Sequence, residues 1–297
     1  MSAPFGLWIP LTLFAAAAQT VRNTAQRRLI DELGTLGATL VRFLYGMPLL
    51  ALWLVALLAM RDFKPLNHSG SFAAWIVLSA FSQMAGTALL LRAMAARSFA
   101  IGLVYSKSEV IQVALFSIVF LGEHPSWITV AAIIVATAGV VMLSPRITAR
   151  PDSTALFGLA AGTAFAISIV AYRGANLALG ADSPFLAAAE TLFWSQGLQT
   201  LLLAGWLLAC NPSVLLGALR AWRLSLFAGG AGASASLANV TALALAPASQ
   251  VRTLILIEVL FTYAVSMRVF REAVSRRELA GIALVVIGAG TIVATAA

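Results

Sequence analysis

Long apolar runs alternate with short polar punctuation along this chain. The pattern predicts ten helices, at about 5–26, 36–60, 72–94, 99–121, 126–144, 155–174, 184–209, 223–244, 249–270 and 279–296. Each approaches the roughly 20 apolar residues that cross a bilayer core. The connectors, among them RRLIDELG, RDFKPLNHSG and CNPSVLLGALRA, are too short for a soluble domain. The start MSAPFGLWIP has no basic leader and reads as the lead-in to helix 1.

A repeat lies under the alternation. A shift of 149 residues places Glu109 on Glu258, Glu123 on Glu272 and Gly139 on Gly288. Two glutamates at one spacing carry weight in a chain with only 11 acidic residues. The connector at 145–154 divides the chain into 1–148 and 149–297, five helices each. An odd number makes the second half enter from the opposite side. The expected fold is therefore an all-α integral membrane protein, with ten transmembrane helices as two inverted five-helix repeats around a central cavity.

Composition agrees: 61% of residues are hydrophobic and only 10% charged, against roughly 25% charged in soluble domains. The net charge of +8 does not point to nucleic acid, because the bases fall singly or in pairs at helix ends. Thirteen of them, Arg22 included, follow helices 1, 3, 5, 7 and 9, whereas Arg61, Lys64 and Arg173 lie on the other side. The positive-inside rule then puts the thirteen in the cytoplasm and both termini outside. The lone Cys210 permits no internal disulfide.

The three bases that remain beyond these two groups (Arg42, Lys107, Arg252) lie in predicted helices, as do three acids (Glu109, Glu190, Glu258). An unpaired charge at the bilayer centre costs at least ~2.5–3.5 kcal/mol, so equal numbers suggest pairing. Lys107 and Glu109, two residues apart, point about 200° apart around an α-helix, and each must look to another segment. Tyr105, Ser108, Glu109 and Gln112 fall near one face, and Lys107 points elsewhere. Arg42, Arg252 and Glu190 are near enough to helix ends to snorkel, so a structural reading stands beside a functional one. Gln83, Tyr172 and Asn239 are softer candidates, since such residues also bond between helices. Gln19, Asn23, Ser168 and Gln196 belong with them. Trp194, four residues after Glu190, is a candidate cavity wall. Trp8, Trp75, Trp127 and Trp222 begin helices, as interfacial anchors do.

Both histidines lie in connectors, and no HExxH, P-loop or nucleophile-elbow motif occurs. Neither an enzyme, a metal site nor a cofactor is expected. The expected partners are a small-molecule substrate and the lipid bilayer.

These residues resemble the EamA-type branch of the drug/metabolite transporter superfamily. The fourth helix of each half ends in a glutamate (LGE at 121–123, FRE at 270–272), and TLVRFLYGMPLLAL is similar to that family's helix 2. GVVMLS at 139–144 and GAGTIVA at 288–294 are similar to its closing helices. The resemblance implies a basket of ten helices, with helices 5 and 10 peripheral, and export of small metabolites, including aromatic amino acids in the YddG-like branch. It also implies cytoplasmic termini, opposite to the charge count. Relatives often carry proline where this chain has Val110 and Val259, so breaks in helices 4 and 9 are not expected from composition.

The resulting expectation is a secondary transporter of a bacterial-type inner membrane that exports amino acids by alternating access. Lys107 or Arg42 would hold a carboxylate, and Glu109 or Glu190 an amino group or a coupling proton. Arg252 and Glu258 would be the helix 9 counterparts. Glu123 and Glu272 would be structural or gating. The alternatives are an exporter of cationic drugs or polyamines, and a non-transporting scaffold or subunit.

Overall fold

A computed structural model describes residues 6–60, 66–96, 105–143, 153–261, 263–264 and 275–295. Every regular element among them is helical: α1 (Trp8–Leu44), α2 (Met47–Ala59), α3 (Gly70–Ala96), α4 (Glu109–Leu121), α5 (Trp127–Leu143), α6 (Ser153–Leu179), α7 (Pro184–Cys210), α8 (Pro212–Arg220), α9 (Trp222–Leu245), α10 (Ala248–Leu254) and α11 (Arg276–Thr295). Among the described residues six helical stretches are long and apolar enough to cross a membrane, and α4 and α5 are shorter apolar helices. The chain is a multi-pass membrane protein. Large apolar side chains such as Val119, Leu201 and Trp127 stand exposed on its outer faces, the arrangement lipid requires.

Two connectors differ from the sequence reading. Residues 27–34, read as a loop, continue the helix, and α1 turns only at Gly34 (φ 68°, ψ 178°). That backbone conformation is essentially confined to glycine. The 211–222 connector holds α8, which lies along α1: a Cβ added at Gly217 would come 3.0 Å from Leu33 Cδ2. Proline at its first turn starts this helix, where the missing N–H costs nothing.

The helices pack in strongly contacting pairs: α3 with α6, α1 with α9, and α5 with α11. Glycines permit the close approaches. In the α5–α11 pair a Cβ at Gly139 would sit 2.7 Å from the Gly281 carbonyl oxygen, and one at Gly288 2.7 Å from that of Ala132. The largest apolar cluster joins α1, α6, α7 and α9 through Trp8, Ile169, Leu192 and Leu243. Trp8 is thus a core residue rather than the expected interfacial anchor, whereas Trp127 and Trp222 are exposed.

The fourth and ninth expected helices are both tightened in mid-course. Residues 107–108 form a turn between helical residues 105–106 and α4, closed by i→i−3 bonds from Ser108 N–H to Tyr105 O and from Val110 N–H to Lys107 O (both 3.2 Å). Ile255–Ile257 is a short 3₁₀ segment after α10, with helix resuming at Glu258. Neither tightening uses a proline. The expectation that Val110 and Val259 leave these helices uninterrupted is corrected here.

Candidate functional site

The tightened turns meet inside the protein, and their charges pair across. Lys107 Nζ donates to Glu258 Oε2 at 2.8 Å, and the Arg252 guanidinium donates to Glu109. All four side chains are buried. Glu109 and Glu258 are therefore each held by a base distant in sequence, as the i, i+2 argument requires of Lys107 and Glu109. The tightening also changes the angle between Lys107 and Glu109. At three residues per turn they stand about 120° apart instead of about 160°, and both line one cavity.

That cavity, about 70 Å³, lies among the first arm of α1, α3, α6, α9 and the two tightened segments. Helix α1 gives it a polar stripe, Gln19, Arg22, Asn23 and Gln26, at the spacings of three and four that share a helical face. Gln19 donates to Glu258 Oε2 (2.8 Å) and Asn23 to Glu258 Oε1 (2.9 Å). Asn23 Oδ1 in turn accepts from Arg22 Nε (3.2 Å) and Nη2 (2.8 Å). Arg22, counted from sequence among the cytoplasmic helix-end bases, is instead buried at the cavity.

Arg42 reaches the same cavity from the second arm of α1. It donates to Thr87 Oγ1 (3.1 Å). The Gln83 amide, oriented to satisfy both neighbours, offers its oxygen to Arg42 Nη2 (2.8 Å) and donates to Ser168 Oγ (2.8 Å). The stems of both arginines cross Gly232 of α9, where a Cβ would come 3.1 Å from Arg22 Cδ and 3.6 Å from Arg42 Cγ. Tyr172 and Asn239 also line the cavity, with Phe165 and Ile169 as its apolar wall. Asn239 Oδ1 and Arg252 Nε are buried without a hydrogen-bond partner among the described residues.

The remaining candidates lie elsewhere. Ser108 faces α6, where a Cβ at Gly162 would meet its Oγ at 2.7 Å, and Gln112 donates to that same Oγ (3.2 Å). Neither lines the cavity, and Tyr105 does not either. Glu190 accepts from Trp194 Nε1 (2.8 Å) and lies 3.4 Å from His68 Nε2. This cluster is separate from the cavity, and half-exposed Trp194 walls nothing there. Glu123, just past α4, pairs with Arg173 (2.8 Å) and accepts the Ala248 N–H that opens α10 (3.2 Å). It ties three elements together. Glu272, which the 149-residue sequence shift sets on Glu123, lies outside the described residues.

Sequence reasoning missed Arg22, Gln26 and Thr87. The first two carried a signal, the 19–22–23–26 stripe, which a count of bases per connector passes over.

Comparison with known proteins supplies a family for part of the chain. Residues 6–144 match the EamA-like transporter family. No curated protein matches. A solved structure, titled only as the crystal structure of a protein, is similar over 96% of this chain and 95% of its own, with a TM-score of 0.67 and 16% identity. That likeness concerns the fold alone.

Proposed function

We propose that the whole chain, beyond the matched residues 6–144, is an EamA-like secondary transporter of a bacterial-type inner membrane. It exports small metabolites, amino acids first among them, by alternating access between two inverted five-helix repeats. The observation that carries this reading is the crossed pairing, Glu109 with Arg252 and Glu258 with Lys107, beside a polar cavity. A carrier whose site lies between repeats has to loosen and remake contacts across their boundary. Charge pairs suit this, because water entering from either side replaces part of what each charge loses.

The tightened turns support the same reading. The 149-residue shift carries positions 107–108 onto 256–257, inside the 3₁₀ segment Ile255–Ile257, and a short 3₁₀ stretch inside a helix often marks a hinge. In this scheme Lys107 or Arg42 takes the substrate carboxylate. Glu109, or Glu258 in the second repeat, takes the amino group or carries a coupling proton, as desolvated carboxylates readily do. The polyamine alternative fits less well, since four bases and only one acid, Glu109, line the cavity, and Glu109 is already paired with Arg252. A scaffold would need no cavity between its charges.

The test is uptake of labelled phenylalanine and other amino acids into proteoliposomes, comparing the wild type with Lys107→Ala and Glu109→Gln. Both variants are expected to lose most of the transport. Undiminished transport in both removes these residues from the mechanism.

A further inference from the structure

Two of the four bases at the cavity have no carboxylate partner among the described residues. Lys107 and Arg252 are matched by Glu258 and Glu109. Arg22 and Arg42, both buried, hydrogen-bond only to neutral acceptors among the described residues: the Asn23 amide for Arg22, Thr87 and the Gln83 amide for Arg42. Glu258, already paired with Lys107, attracts Arg22 only at longer range across Asn23. Arg22 uses its Nε and Nη2, and Nη1 takes no hydrogen-bond partner among the described residues. The two guanidiniums come from separate arms of α1, and their stems lie side by side across Gly232. Repulsion between like charges in a desolvated place opposes this arrangement. Neutral amides and hydroxyls orient the two groups without cancelling their charge.

We infer that Arg22 and Arg42 form a paired-guanidinium site for the oxyanion group, carboxylate or phosphate, of a small organic anion. Among the amino acids and other small metabolites of the transport reading, those with net negative charge are then preferred over balanced zwitterions. The chemistry comes from the donors. A guanidinium presents a planar fork that matches two oxygens of a carboxylate or phosphate, and a pair of forks binds such a group from two directions. One ligand charge offsets half of the unmatched charge at this cavity, and a dianion offsets all of it. The size of the space agrees with a small ligand. At about 70 Å³ the cavity is far below the roughly 300–1,000 Å³ of drug-sized sites. Phe165 and Ile169 in the same lining provide an apolar wall for the carbon skeleton. An aliphatic diamine would meet two bare cations here, so the site also discriminates by repulsion.

The inference deepens the transport reading and rests on it only for the steps after binding. Its test uses the full-length protein in neutral detergent without added lipid, and thermal stabilisation by four probes: succinate, inorganic phosphate, phenylalanine and putrescine. Stabilisation by succinate or phosphate above phenylalanine, with none by putrescine, is expected. Which of the two anions is preferred separates carboxylate from phosphate recognition. Arg22→Gln and Arg42→Gln should each weaken anion binding at least about tenfold, and Arg42→Lys, which keeps the charge without the fork, should weaken it less. The probe series on the wild type stands even where a variant folds poorly. Equal or greater stabilisation by putrescine, no response to either anion, or full anion binding by the folded Arg22→Gln, Arg42→Gln double variant overturns the site. Stabilisation lost on adding phosphatidylglycerol vesicles, but kept with phosphatidylcholine, identifies a lipid phosphate as a competitor for the same forks and supports the chemistry. Anion binding that depends on both arginines, with no uptake of any solute, keeps the site and removes the transport reading. Phenylalanine transport untouched by both substitutions, without anion binding, does the reverse.

Discussion

The centre of this protein and its α5–α11 flank are both tightly packed, and they are packed by opposite means. At the centre, long charged side chains occupy the space between helices, and Lys107, Glu109, Arg252 and Glu258 are each stabilised by a group from another segment. On the flank, Gly139, Gly281 and Gly288 withdraw all side chain, and backbone meets backbone. Lipid offers no hydrophobic drive between helices, so close contact through small residues is the ordinary way to join them. The centre forgoes that simple solution and keeps charges that are costly to bury. The difference separates holding two helices together from presenting chemistry to a cavity.

Substitutions can break that comparison. The largest effect is expected from Glu258→Leu, which strands Lys107 and should cost about 3–5 kcal/mol. It should appear as a lower unfolding temperature in detergent together with lost transport. Adding Lys107→Leu should recover most of the stability but none of the transport. A double variant that transports like the wild type would make the pair a packing device. Next comes Gly139→Leu, which drives a side chain into the Gly281 carbonyl and should cost about 1–3 kcal/mol. Transport per folded molecule should stay near wild type, and a specific loss of turnover would mean that the flank moves during the cycle. The smallest effect is expected from Glu190→Gln. Its amide oxygen still accepts from Trp194, so stability should change by about 1 kcal/mol or less, with transport retained. Loss of transport there would extend the functional region to the His68 cluster.

Much of this was legible in the sequence, and the reasons are local. Helix positions follow from hydropathy, since a span has to be apolar and of set length. That Lys107 and Glu109 look away from each other follows from helical angle alone. Their partners did not follow, because pairing between α4 and the α10 segment is set by packing geometry that periodicity does not encode. The tightened turns were hidden for a related reason. Val110 and Val259 carry no backbone signal of the kind proline gives, and the tightening is imposed by what the charges have to reach. Arg22 was misassigned because Arg27 and Arg28 come soon after it, so its neighbourhood imitates a helix flank. The stripe Gln19, Arg22, Asn23 and Gln26 was the better guide: four polar residues on one face of an otherwise apolar helix need a wet or polar neighbour.

The crossed pairs have a consequence for how the protein is made. The partner of Lys107 lies 151 residues downstream and that of Glu109 lies 143 residues downstream. At about 5–20 residues per second, the ribosome needs roughly 7–30 s to synthesise that stretch. Throughout that interval the nascent first half sits in the membrane with an ammonium and a carboxylate whose eventual partners do not yet exist. A chain that stalls before residue 252 is left with both charges unmatched, a state that is costly within the bilayer. Assembly of the charged centre is thereby deferred until Glu258 has been made and inserted.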